Sequence, residues 1–175
     1  MKTIVRFTRA RIYACGTALI LAGFLSACGT APLRTEPVGA APAKTTNLGR
    51  GYLRVYSATE EHHADNTTVF RPHTDYWLRY PNGRLEWIRN HLGRADENPA
   101  RVSLPAGSYE VLADSEDYGR VEVPVNIEPR ETTMVYLDGG APKRLDSGAG
   151  DNLARLPNGQ ILGWRTGVTN GQTLK

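Results

Sequence analysis

The feature that most constrains the fold is a series of short alternating segments between residues 49 and 141. They are rich in Val, Tyr, Trp and Ile, and turn-forming residues separate them. Alternation with a period of two places successive side chains on opposite faces of a β-strand. No stretch after residue 28 shows a sustained helical period, so we predict an all-β sandwich. The seven predicted strands cover 51–57, 74–80, 84–90, 101–104, 108–113, 119–127 and 132–137.

One predicted hairpin is specific enough to give a register. Tyr80-Pro81-Asn82-Gly83 favours a type I turn followed by a bulge at Gly83, which places Tyr80 opposite Arg84. Trp77 then lies opposite Trp87 and points outward, because the other face holds the better core residues. That core face carries Tyr76, Leu78, Tyr80 and Ile88.

Two interpretations of this tryptophan pair remain open. Trp77 and Trp87, with Asp75, Arg79 and Arg89 on the same face, have the composition of a surface that stacks on a sugar ring or a partner side chain. Alternatively, the C-terminal tail covers them, or they are partly buried inside the fold. The tail contains Trp164 and a second Pro-Asn-Gly turn at 157–159, so it has the pattern of a hairpin of its own.

The N-terminus has the pattern of a secretory signal peptide. Residues 1–27 carry four basic residues and no acidic one, and 12–24 form an apolar run too short for the roughly 20 residues of a membrane span. The whole chain has 21 Lys and Arg against 18 Asp and Glu, so loss of the leader leaves 17 against 18. The apparent basic charge therefore belongs to the leader, and nucleic acid is not an expected partner.

Leu25-Ser26-Ala27-Cys28 resembles the lipobox of bacterial lipoproteins. The resemblance implies cleavage before Cys28, lipidation of that cysteine, and anchoring on the exported side of a cell membrane or outer membrane. Cys15 would leave with the leader, so an intramolecular disulfide and a free catalytic thiol are both excluded in the mature chain. Residues 28–48, rich in Pro, Ala and Thr, are predicted to be a flexible tether.

The segment 99–113, PARVSLPAGSYEVLA, is similar to the core of carboxypeptidase regulatory-like domains. Tyr118-Gly119 and the final strand after Glu131 extend the similarity. The resemblance implies a transthyretin-like, seven-stranded Greek-key sandwich without catalytic residues, over 49–141. Residues 142–175 are predicted to be a flexible tail with a possible hairpin.

Two groups of polar residues are weaker candidates for chemistry. His62, His63, Asp65 and His73 could in principle ligate a metal, but adjacent histidines on an extended chain point to opposite sides. We therefore favour a polar loop at this position. The carboxylates at 114, 116 and 117 have the pattern of solvated turn residues.

These patterns predict a non-enzymatic interaction or structural module presented at the cell envelope. The alternative is a carbohydrate or cell-wall binder that uses Trp77 and Trp87, and a metal-dependent enzyme at the His-rich segment ranks third. No cofactor is predicted. The expected partners are the membrane, through Cys28, and an unidentified protein or glycan.

Overall fold

The computed structural model describes residues 31–39, 49–64, 68–146 and 152–165. These residues form an all-β structure with one single-turn helix. No helix within these ranges is long and apolar enough to cross a membrane. The elements are β1 (Leu33–Arg34), β2 (Arg50–Tyr56), β3 (His62–His63), β4 (Val69–Phe70), β5 (Tyr76–Arg79), β6 (Leu85–Ile88), β7 (Val102–Pro105), β8 (Gly107–Ser115), β9 (Gly119–Ile127), β10 (Thr132–Tyr136), α1 (Lys143–Asp146), β11 (Leu153–Arg155) and β12 (Ile161–Trp164).

Two sheets share one hydrophobic core. The larger has the strand order β1-β9-β8-β5-β6, and the smaller has the order β10-β2-β7. Alternate residues of each long strand point into the core, because a pleated strand directs successive side chains to opposite faces. Leu53 and Val55 of β2 contribute from the smaller sheet, and Val111 and Val123 contribute from the larger; all four side chains have 0% exposure.

Each of the seven predicted strands overlaps a strand of the structure, namely β2 and β5–β10. The predicted hairpin register is also confirmed, since Trp77 pairs with Trp87. The Tyr80 amide donates to the Arg84 carbonyl at 2.8 Å, and Gly83 has a φ of 81°. A positive φ suits glycine because it has no Cβ to clash with the backbone.

The predicted tether is corrected where the structure describes it, over 31–39. β1 pairs in parallel with β9, and Val38 is only 1% exposed. The Val38 amide donates to the Pro124 carbonyl at 2.9 Å, and the Gly39 amide donates to the Trp164 carbonyl at 2.8 Å. Sequence periodicity missed this segment because Val38 is the only apolar side chain fully buried within 31–39, and one such residue makes no pattern.

The predicted flexible tail is likewise corrected over 152–165. β11 and β12 form an antiparallel hairpin, and the Leu156 amide donates to the Gln160 carbonyl at 2.9 Å. Ala154, Leu156 and Leu162 belong to the main core. The packed unit therefore extends beyond the predicted limits of 49–141 at both ends. Cys28, residues 1–30 and 166–175 lie outside the described residues.

The larger sheet has two different ends. At one, which we call the turn end, residues 80–84 connect β5 to β6, and Ala106 alone separates β7 from β8. At the opposite end, which we call the loop end, lie the described residues of two longer connections, 57–64 with 68–75 and 89–101, and the turn 116–118. The pairs Ser115–Gly119 and Tyr76–Ile88 place these connections at the same end.

Candidate contact surface on the outer sheet face

Trp77 and Trp87 lie side by side on the outer face of the larger sheet. Their ring centroids are 5.1 Å apart and their planes are inclined by 73°, the edge-to-face arrangement that aromatic rings favour. Trp77 is 36% exposed and Trp87 is 52% exposed. The outward orientation was predicted, whereas covering by the tail does not occur in the residues that the structure describes, because β11 and β12 pack elsewhere.

The surface continues to an open sheet edge. β6 is the last strand of the larger sheet, and Leu85 on its outer face is 49% exposed. In an antiparallel ladder, alternate residues of an edge strand direct their backbone groups away from the sheet. Because Tyr80 pairs with Arg84 through a hydrogen bond, the residues that face outward are Leu85 and Trp87. Their backbone groups have no partner within the described residues, so an apolar surface adjoins unpaired backbone.

A charged network occupies the middle of the same face. Arg79 on β5 contacts Glu110 on β8 and Glu122 on β9, the latter at 2.7 Å. Arg34 on β1 reaches Glu110 at 2.6 Å and Glu122 at 3.4 Å. Burial raises the pKa of Glu110, but hydrogen bonds from Arg34 and Arg79 outweigh it and lower that pKa overall. The network is formally neutral.

The other predicted ligand residues, besides the two tryptophans, differ in how free they are to contact a ligand. Arg79 is engaged with two carboxylates, so it is less available to a ligand than the sequence indicated. Asp75 accepts a hydrogen bond from the Asn90 amide at 2.8 Å and lies 3.8 Å from His91 Nε2. Arg89 is exposed and makes no side-chain hydrogen bond or ion pair within the described part of the chain. Trp77, Trp87 and Arg89 are the candidates that face solvent.

The histidines considered as weaker candidates for metal ligands are not grouped together within the described residues. His62 and His63 are adjacent on β3, so their side chains point to opposite sides, and His63 is exposed. His73 is buried, and its Nδ1 lies 2.6 Å from the Ser57 carbonyl. Asp65 lies outside the described residues. Within the described ranges, no three His, Cys, Asp or Glu side chains are grouped as metal ligands.

The carboxylates near the β8–β9 turn each have a structural partner. Asp114 pairs with Arg120 at 3.1 Å. Glu116 accepts hydrogen bonds from the backbone amide and the hydroxyl of Thr59, at 2.8 and 2.9 Å. Asp117 accepts hydrogen bonds from the side chains of the β11–β12 turn. These groups therefore hold the loops together, which explains their clustering.

The structure also has a feature that the sequence did not predict. A shallow depression of about 350 Å³ lies beside the β5–β6 turn. Its lining comes from three distant stretches of chain, so no local motif could have revealed it. The lining includes Arg79, Tyr80, Pro81, Ser108, Glu110 and Pro124.

Comparison with protein-family models, curated proteins and solved structures gives no match to this chain. The exposed tryptophan pair beside a free strand edge is the arrangement best suited to non-covalent contact. The charged network and the depression border it on the same face.

Proposed function

We propose that this protein is a bacterial envelope lipoprotein whose sandwich is a non-catalytic interaction module. The leader and the motif Leu25–Cys28 support the anchor, which acyl chains on Cys28 would provide. Under this proposal, the mature chain begins at Cys28 and works on the exported side of a cell membrane or outer membrane.

The finer fold that we propose is the transthyretin-like sandwich of carboxypeptidase regulatory-like domains. Its support is the element 104–111, which spans the tight β7–β8 connection. Tyr109 and Val111 are buried, as that resemblance implies for the corresponding core residues. Domains of this kind carry no catalytic residues, which agrees with a role in contact rather than chemistry.

The observation that carries the functional proposal is the exposed pair Trp77 and Trp87 beside the free edge of β6. Large aromatic side chains in contact with each other on a surface commonly mark a binding site, and tryptophan is enriched among residues that dominate interface energies. Their planes differ by 73°, so the two rings do not make one flat platform. This geometry favours a protein partner that packs around the rings and pairs with β6.

A photo-crosslinking amino acid at position 87 tests this proposal in native membranes. We expect a discrete crosslinked product that disappears when Trp77→Ala is added. Position 134 is the matched control, because Met134 is 38% exposed on the smaller sheet. The same product from positions 87 and 134 would show that the tryptophan face is not the contact surface.

A carbohydrate or cell-wall ligand is the second candidate. The 52% exposure of Trp87 leaves room for a sugar ring to stack on its indole, next to the exposed guanidinium of Arg89. Calorimetry with purified cell-wall glycan fragments separates this candidate from the first. If the protein binds the fragments with measurable heat, and Trp87→Ala abolishes that heat without changing the melting temperature, the glycan is favoured over the protein partner.

A further inference from the structure

The chain enters the sandwich at its loop end. β1 runs parallel to β9, with Leu33 opposite Val121 and Arg34 opposite Glu122. β9 begins at Gly119, at the loop end, and runs towards the turn end. Residues that precede Leu33 therefore leave the sheet at the loop end.

The connection between Cys28 and the sheet is short. Leu33 lies five residues after Cys28, and an extended chain covers at most about 3.3–3.6 Å per residue, or roughly 17 Å. The nine residues of β9 extend about 30 Å at about 3.3 Å each. The connection is thus shorter than the sheet, so a lipid attached to Cys28 would keep the loop end within reach of the bilayer.

Leu92 gives the loop end an apolar tip. It is 92% exposed, and hydrogen bonds to Asp96 connect the two ends of its loop. The backbone amides of Leu92 and Asn98 donate to the two oxygens of Asp96 at 3.1 and 3.2 Å. Leu92 is therefore a fully exposed apolar side chain on a hydrogen-bonded loop.

Two arginines flank Leu92 in the sequence. Arg89 and Arg94 are exposed and have no ion pair within the described residues. Two carboxylates of the same loop accept hydrogen bonds from backbone amides: Asp96 accepts the bonds above, and Glu97 accepts from the Arg71 amide at 2.8 Å. These bonds leave both carboxylates negatively charged, so the two guanidinium groups are the charged groups of this loop that can approach phosphate. Guanidinium groups bind phosphate well, and apolar side chains enter the headgroup–acyl boundary.

We propose that the loop end of the sandwich faces the bilayer, with Leu92 in its interface and Arg89 and Arg94 at the phosphates. This orientation rests on the lipid anchor proposed above. The outer face of the larger sheet is a less favourable surface for contact with lipid than the loop end. Such contact would desolvate the charged network of Arg34, Arg79, Glu110 and Glu122. In this orientation, the tryptophan face is roughly perpendicular to the bilayer and remains accessible to a partner.

Single-cysteine labelling tests the orientation on the full lipidated protein. An acylated Cys28 has no free thiol, so an introduced cysteine is the single reactive one. An environment-sensitive fluorophore is attached at the loop end through Leu92→Cys, at the turn end through Asn82→Cys and on the tryptophan face through Leu85→Cys. The protein is reconstituted into vesicles of phosphatidylethanolamine and phosphatidylglycerol that contain a nitroxide-labelled phospholipid. We expect a blue shift and strong quenching at position 92, and neither at 82 nor at 85.

Two outcomes would overturn the orientation alone. If the vesicle-bound protein is quenched at position 85 as strongly as at 92, the sheet face lies on the bilayer. If position 92 is not quenched, the loop end does not touch lipid. Incorporation of labelled palmitate is measured first; its absence, with no flotation on vesicles, would reject the anchor and the orientation together.

Discussion

At the scale of single residues, Asn90 connects several parts of the structure, although no motif in the sequence indicated this role. Its side chain is fully buried, and Nδ2 lies 2.9 Å from the Val55 carbonyl and 3.0 Å from Ser57 Oγ. Its Oδ1 accepts from the Ala100 amide at 3.2 Å. One amide thus joins β2 to both ends of the connection between β6 and β7.

Replacement of Asn90 by alanine should destabilise the fold by about 2–4 kcal/mol, because it leaves several buried polar groups without partners. Urea denaturation followed by circular dichroism measures the change. Asn98→Ala is the control, since Asn98 is exposed, and we expect it to remain within about 0.5 kcal/mol of the parent. Equal stabilities of the two variants would show that the Asn90 network contributes little.

At the scale of elements, one turn occurs twice. Pro81-Asn82-Gly83 closes the β5–β6 hairpin, and Pro157-Asn158-Gly159 closes the β11–β12 hairpin. The two glycines have φ values of 81° and 87°. In both turns the asparagine Oδ1 accepts from the amide two residues later, at 3.0 and 3.1 Å. The same short sequence therefore gives the same geometry in two different surroundings.

Gly83→Ala should destabilise the protein by about 1 kcal/mol, because an alanine Cβ is unfavourable at a positive φ. Gly93 supplies a matched control. A methyl group would meet no atom within 4 Å at either position, but only Gly83 has a positive φ. Thermal melting of the two alanine variants compares them directly. A similar loss from both variants would show that the positive φ at Gly83 is not the cause, because Gly→Ala at an unstrained position should stabilise the fold slightly.

The sequence predicted those elements whose pattern is repeated locally. The long strands show several cycles of alternation, and the turn at 81–83 fixed the pairing of Trp77 with Trp87. β1 has only two residues, so it has no period to detect, and it forms because β9 offers it a partner. The engagement of Arg79 could not be predicted for a similar reason. Its carboxylate partners, Glu110 and Glu122, lie on strands that only the fold brings beside it.

At the scale of the whole molecule, both end segments of the described chain complete the core. Val38 forms bridges with Val125 on one side and Arg165 on the other. Gly163 permits this approach, since a Cβ there would lie 2.6 Å from a Val38 methyl carbon. The sandwich therefore depends on residues near 38 and near 162 as well as on its central strands.

Leu162→Ala should destabilise the protein by about 2–5 kcal/mol, because Leu162 has 0% exposure and its truncation leaves a cavity. Leu92→Ala, at a side chain that is 92% exposed, should change the stability by less than about 0.5 kcal/mol. Both values come from the same denaturation experiment. A Leu162 variant as stable as the Leu92 variant would mean that the hairpin is dispensable to the core.

The position of Val38 also sets a condition for assembly. Residues 31–39 precede the rest of the sandwich in the chain, but their final place lies between β9 and the hairpin that ends near residue 165. The segment can pair with β9 directly, whereas its second side gains a partner only from the last strand. The first part of the fold in the chain is thus among the last to be enclosed, so a chain that lacks residue 165 would leave the backbone of Val38 open to pairing with other chains.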